Sequence, residues 1–97
     1  MGATKFNNYT SEEINLAKIA RSMAHPARIK IVNQLKSNHY LRGVDFEKIL
    51  NLSSKCVHDH LQKLVEAKVI ERAFEPNQYR LFILEETVAD FSYFIQE

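Results

Sequence analysis

Residues 43–66, GVDFEKILNLSSKCVHDHLQKLVE, read as two helices joined by a tight corner. Asp45 is expected to cap the first, its carboxylate accepting from free backbone N–H groups, with Val44 and Ile49 closing a hydrophobic staple. The corner is Asn51-Leu52-Ser53, and Asn tolerates the left-handed conformation that a sharp turn needs. Ser53 then caps the second helix, and Leu52 staples onto Val57. Val57, Leu61, Leu64 and Val65 recur at i, i+4, i+7 and i+8, one buried face of a helix. Lys55, His58, Asp59 and Gln62 fall on the other side. A short helix, a turn and a helix with one polar face describe a helix-turn-helix, whose second helix typically enters a DNA major groove. An ordinary packed helix pair with a solvated face fits this stretch equally well, so its surroundings decide.

Upstream, Thr10-Ser11-Glu12-Glu13 is a capping box that opens a helix running to about Met23. Its apolar residues, Ile14, Ala17, Ile19, Ala20 and Met23, cover more than one stripe, one face for this domain and one for a second subunit. His25-Pro26 ends that helix and begins the next, because proline at the first helical position gives up an N–H that lacks a partner anyway. Ile29, Val32 and Leu35 form the inner stripe of the second helix, with Ile31 flanking. Tyr40-Leu41-Arg42 is an extended link or short strand, and Gly43 turns into the helix-turn-helix.

Downstream, residues 69–74 and 78–84 are β-rich runs around Glu75-Pro76-Asn77, a hairpin pattern. A hairpin that carries Arg72 and Arg80 directly after a recognition helix reads as a wing. Glu85-Glu86-Thr87 opens a last helix with acidic residues at its N-terminus. Val88, Phe91, Tyr93, Phe94 and Ile95 crowd its second half, more apolar surface than so small a domain can bury, which marks an interface. The expected fold is therefore mainly α with a small β-hairpin: a single winged helix-turn-helix over residues 1–97. Residues 1–9 are its N-terminal arm and residues 85–97 a dimerisation helix.

The whole chain carries a net charge of only +1, but the charge is unevenly placed. Lys18 to Lys63 hold nine Lys and Arg against three Asp and Glu, and Leu64 to Glu97 hold three against seven. The central part can meet phosphates and the C-terminal part should face elsewhere. With no apolar run long enough to span a membrane, no signal-peptide core and a single cysteine, a reducing cytoplasm is the expected location.

Four segments resemble one family. Residues 24–32, AHPARIKIV, are similar to the "ALAHPTRLRIL" opening of ArsR-family winged-helix regulators. Residues 52–64, LSSKCVHDHLQKL, resemble that family's "LSQSTVSRHLKVL", residues 65–70 its "REAGLV", and Tyr79-Arg80-Leu81 the "YYRL" of its wing. The resemblance spans about residues 12–95. It implies a prokaryotic transcriptional repressor that dimerises through its first and last helices. Two departures stand out. Lys68 replaces the glycine before the wing, at about 1 kcal/mol if the position remains left-handed. Asp59 stands where Arg, Ser or His is common, and an acidic group facing DNA needs a cytosine amino group or a cation.

The family is known for metal sensing, so the ligands matter. Its third-helix sensors carry Cys-x-Cys, whereas Asp45 to Leu50 hold no cysteine. Its last-helix sensors use Asp and His, whereas Asp90 has no His beside it. Cys56 and His60, at i and i+4, make at most a weak pair of ligands. No metal and no cofactor is expected. His60 reads as a packed, hydrogen-bonded residue near the turn. Cys56 falls at N3, where the helix dipole favours a thiolate, yet reads as a small residue packed between the two helices. No phosphate loop, nucleophile with a base or paired acid motif is present, so an enzyme is not expected.

These readings converge on double-stranded DNA as the partner of a homodimer. Ser54, Lys55, His58, Asp59 and Gln62 are expected at base edges. Gln62 suits adenine and Lys55 suits guanine. Arg28 and Ser53 are expected at phosphates, and Lys63, Arg72, Asn77, Gln78 and Arg80 along the backbone. The dimer interface is expected to use Phe6, Tyr9, Ile14, Ile19, Phe91, Tyr93, Phe94 and Ile95. Nothing in these motifs specifies a small-molecule inducer. The rival is a winged-helix module that binds protein instead of DNA, favoured by the low net charge and Asp59 and opposed by the basic centre.

Overall fold

The computed structural model describes residues 8–73, 75 and 77–82. The elements run α1 (Ser11–Ser22), α2 (Pro26–Ser37), β1 (Leu41–Arg42), α3 (Gly43–Leu50), α4 (Ser54–Glu66), β2 (Ile70–Arg72) and β3 (Gln78–Leu81). This is the winged helix-turn-helix order. The expected arm and dimerisation helix, with Phe6, Phe91, Tyr93, Phe94 and Ile95, lie outside the described residues.

The helix starts follow local hydrogen bonding. Thr10 and Glu13 exchange the two bonds of the capping box, at 3.0 and 2.9 Å. His25 caps α2, its Nδ1 accepting from the Ala27 N–H at 3.0 Å, and Pro26 follows at N1. Ser53 caps α4 by accepting from the Cys56 N–H. The start of α3 differs from expectation. The helix begins at Gly43 with Arg42 as N-cap, and Asp45 at N3 reaches back to the Arg42 N–H at 2.8 Å. A carboxylate satisfies orphan donors from N3 as well as from the cap itself, and the longer helix leaves Val44 exposed instead of stapled.

Two left-handed residues shape the corners. Asn51 (φ 56°) ends α3, as the turn chemistry predicts. Lys68 (φ 61°) ends α4 in a Schellman arrangement: its N–H donates to the Val65 carbonyl at 2.9 Å, and the Val69 N–H donates to the Leu64 carbonyl at 3.0 Å. Val69 and Leu64 are both buried, supplying the apolar contact that accompanies this motif. The lysine therefore keeps the glycine's conformation.

The core gathers Ile19 and Met23 of α1, Ile31, Val32 and Leu35 of α2, Phe46 of α3, and Val57, Leu61 and Leu64 of α4, closed by Val69, Ile70 and Tyr79. Ile31, expected to flank, is fully buried, while Ile29 is only partly so. Helix α2 packs against α3, α4 and β3, so more than one stripe of it is covered. Ile19, expected at the dimer contact, is committed to this core instead. Ile14 is half-buried and Tyr9 exposed.

The sheet has the antiparallel order β1-β3-β2. Leu41 pairs with Tyr79 and Arg42 with Gln78, while Glu71 lies opposite Arg80. The short strand β1 thus brings the start of α3 to the wing, and the Gly43 N–H donates to the Asn77 carbonyl at 2.9 Å.

Candidate nucleic-acid interface

Helix α4 turns Val57, Leu61 and Leu64 inward and leaves Lys55, Asp59 and Glu66 exposed, with Gln62 partly so. Successive residues differ by about 100° around a helix, so these four make one outer face. Side chains of this face pair one turn apart. Lys55 Nζ lies 3.5 Å from Asp59 Oδ2, and Gln62 Nε2 lies 3.4 Å from Glu66 Oε2. Asp59 therefore finds its cation on its own helix. The pair is highly exposed, and lysine preceding the acid is the weaker order, so it contributes at most about 0.5 kcal/mol and opens at little cost.

Beside this face lies a cleft of about 280 Å³ between the start of α3, α4 and the wing, lined by Arg42, Ser54, His58 and Asn77 over a floor of Val57 and Tyr79. Polar side chains from three elements thus converge next to the outer face of α4. Arg42 was not singled out by sequence. Its signal was its position as a basic residue immediately before a helix start. Its side chain is 60% exposed, with Nε 3.7 Å from Asp45 Oδ2.

Other expected contacts sit elsewhere. Arg28 is turned inward: its Nε donates to His60 Nδ1 at 3.1 Å and its Nη1 to the Ser22 carbonyl at 3.3 Å. Facing acceptors drew it away from the solvent side of α2. His60 is packed and hydrogen-bonded, as expected. Arg80 Nε meets Glu71 at 2.6 Å across the strands, and its side chain lines a separate recess beside Lys36, Asn38 and His39. Arg72 remains on the wing over the Tyr79 ring, 5.8 Å from its centroid. Gln78 is only partly exposed: its Nε2 donates to Glu75 at 3.5 Å, and its Oε1 is buried without a protein partner among the described residues. Ser53 and Lys63 are exposed at the two ends of α4.

Cys56 is exposed, contrary to the expected packing between helices. It precedes Val57 by one residue, and that rotation of about 100° carries it off the buried stripe. Among the described residues, no three His, Cys, Asp or Glu side chains are grouped to hold a metal ion, and no helix is long and apolar enough to cross a membrane.

Burial, the neighbouring His25 and the Arg28 guanidinium together hold the His60 imidazole below its ordinary value of 6.5, against an opposing pull from Asp59.

No family model matches the chain. Among curated proteins, it is 36% identical over 72 residues to the transcriptional repressor PagR of Bacillus anthracis, covering 71% of this chain and 72% of that protein. The crystal structure of PagR superposes with a TM-score of 0.70 at 27% identity, covering 86% of this chain and 95% of that one. HlyU of Vibrio cholerae gives a TM-score of 0.74 at 20% identity, over 89% of this chain and 94% of the other. A homodimeric winged helix-turn-helix DNA-binding domain from Mycobacterium bovis, a possible ArsR-family transcriptional regulator, gives 0.74 at 15% identity, over 98% and 86%. At those identities the last two speak for the fold alone. The PagR relationship extends to sequence, and with the motifs at residues 24–32 and 52–64 it places the chain in the ArsR family of winged helix-turn-helix transcriptional regulators.

Proposed function

We propose that the protein is a cytoplasmic, sequence-specific DNA-binding repressor that acts as a homodimer on an inverted-repeat operator. The observation that carries this reading is the outer face of α4, with Lys55, Asp59 and Gln62 exposed or partly exposed along it, flanked by the cleft of Arg42, Ser54, His58 and Asn77. In this reading Lys55, nearest the helix N-terminus, and Gln62 reach base edges, and Asp59 exchanges Lys55 for a cytosine amino group. Ser53, Arg42 and Asn77 meet phosphates, with Lys63 and Arg72 further along the backbone. Arg28, Gln78 and Arg80 are left out, because their side-chain donors are engaged by His60, Glu75 and Glu71 within the domain.

The dimer reading rests on the aromatic residues Phe91, Tyr93 and Phe94 with Ile95, and on Phe6, Tyr9 and Ile14 as counterparts. Residues 1–9 then form an arm and residues 85–97 the pairing helix of a single domain. A two-fold dimer sets two recognition helices into successive major grooves about one turn apart. Burial of one large apolar side chain is worth about 1.5–3 kcal/mol and counts twice across a two-fold axis. Phe94→Glu should therefore give monomer or aggregate by sedimentation.

Selection from a randomised inverted-repeat library tests the whole reading. An enriched palindrome whose binding weakens steeply with salt supports it. If no motif emerges and binding to mixed DNA is negligible, the DNA reading fails and a protein-binding module takes its place.

A further inference from the structure

Three side chains join the α1–α2 corner to the recognition helix. His25 Nδ1 is occupied by the Ala27 N–H, so the neutral His25 ring carries its proton on Nε2. Its ring centroid lies 4.5 Å from that of His60, at a tilt of 58°. His60 Nδ1 accepts from Arg28 Nε, which fixes the same tautomer for His60. The same guanidinium also donates to the Ser22 carbonyl, in the last turn of α1. One arginine thus connects α1, α2 and α4.

We propose that Arg28 and His60 form a latch that positions the recognition helix for its DNA site while His60 is neutral, and that a proton added at His60 Nδ1 opens it. Arg28 and His60 are positioning residues here and touch no DNA. The inference rests on the DNA reading above and adds a control to it.

Guanidinium has no acceptor, and a protonated imidazole has none either. A proton on Nδ1 would set two donors and two positive charges against each other at the 3.1 Å contact. The charged and titratable groups facing His60 are His25 from the corner, Arg28 from α2 and Asp59 from its own helix; α1 contributes the Ser22 carbonyl through Arg28. His25 and Arg28 oppose the proton and Asp59 favours it. Since the folded value lies below the unfolded 6.5, the contribution is complete above 6.5 and is lost as pH falls from there through the folded value. This runs against the usual trend. Positive charge gained as pH falls ordinarily strengthens phosphate binding.

Fluorescence anisotropy of the full chain, at constant ionic strength from about pH 8 to about pH 5.5, tests it on a selected operator and an unrelated duplex of equal length. Wild-type affinity for the operator should fall severalfold by about pH 5.5, part of the roughly tenfold loss that a one-unit pKa difference between bound and free protein gives once both are protonated, while the unrelated duplex holds or gains. In His60→Gln the amide oxygen can still accept from Arg28 but cannot titrate, so its ratio of operator affinities across the range should be flat. A wild-type profile that persists in His60→Gln overturns the latch.

Nuclear magnetic resonance of the free protein supplies a readout that needs neither DNA nor the variant. Ring-nitrogen shifts should show His60 Nδ1 unprotonated at neutral pH, and the amides of α4 from Val57 to Leu64 should move with the His60 titration. A protonated Nδ1 at neutral pH, or α4 amides indifferent to that titration, overturns it. Failure to select any operator counts against the DNA reading and leaves this spectrum to judge the latch.

Discussion

Arg28 and Arg42 occupy similar places in the sequence and opposite ones in the molecule. Arg28 sits in the first turn of α2 and Arg42 caps α3. Each is a basic residue at a helix N-terminus, where a phosphate would be welcome. Arg28 has an imidazole nitrogen and a carbonyl oxygen within reach and is held by both. Among the described residues Arg42 has only the carboxylate of its own turn, 3.7 Å away, and its side chain remains mostly in solvent at the lip of the cleft. What separates them is the supply of acceptors on the facing elements. A basic residue near a helix start stays available to a phosphate only when the fold does not draw it into buried contacts of its own.

The strongest test exchanges the two roles. Arg28→Ala leaves the partly buried His60 nitrogen and the Ser22 carbonyl without their donor, and should lower the free energy of unfolding by about 1–3 kcal/mol in a denaturant titration. Arg42→Ala should leave that titration unchanged. A stability loss at Arg42 equal to that at Arg28 would erase the distinction. On DNA the order reverses: Arg42→Ala should weaken every sequence alike and reduce the salt slope by about 0.9 for the phosphate lost. Gln62→Ala sharpens the contrast from the outer face. It should cost about 1–3 kcal/mol on the selected site and little elsewhere, as expected for a base reader. Asp59→Ala, measured on the same library, should lose discrimination at one base pair while unrelated DNA gains affinity, the direction expected from freeing Lys55. The smallest effect is expected at Lys68→Gly, which relieves a left-handed lysine and should raise stability by up to about 1 kcal/mol in thermal melts.

The same contrast explains what could be read from the sequence. Features set by neighbours in the chain were legible. The stripe of Val57, Leu61 and Leu64, the Ser53 cap, the Thr10–Glu13 box and the Asn51 corner each depend on a few consecutive residues, and each appears in the structure. Features set by partners far along the chain were not. Arg28 meets His60 across 32 positions, and no local pattern announces it. Arg80 meets Glu71 because the hairpin register makes them opposite. Ile31 is buried more deeply than Ile29 because α2 is covered on more than one side. Cys56 lies one residue before the correctly placed stripe of α4 and is exposed instead of packed, and α3 begins two residues before Asp45, which makes Asp45 an N3 residue instead of the cap. The cleft combines both classes. Ser54 and His58 follow from α4, whereas Arg42 and Asn77 arrive through the pairing of β1 with β3.

The bond from the Gly43 N–H to the Asn77 carbonyl, with the Arg42–Gln78 pairing beside it, joins the turn end of the wing hairpin to the first turn of α3. Its consequence is calorimetric. Segments that fold upon binding bury surface of their own and add a large negative heat-capacity change to that of the interface. Here the cleft wall at Asn77 and the start of α3 are already hydrogen-bonded to each other. Titration of operator DNA should therefore give a heat-capacity change no larger than the buried contact area requires, with little ordering entropy charged to this part of the wing.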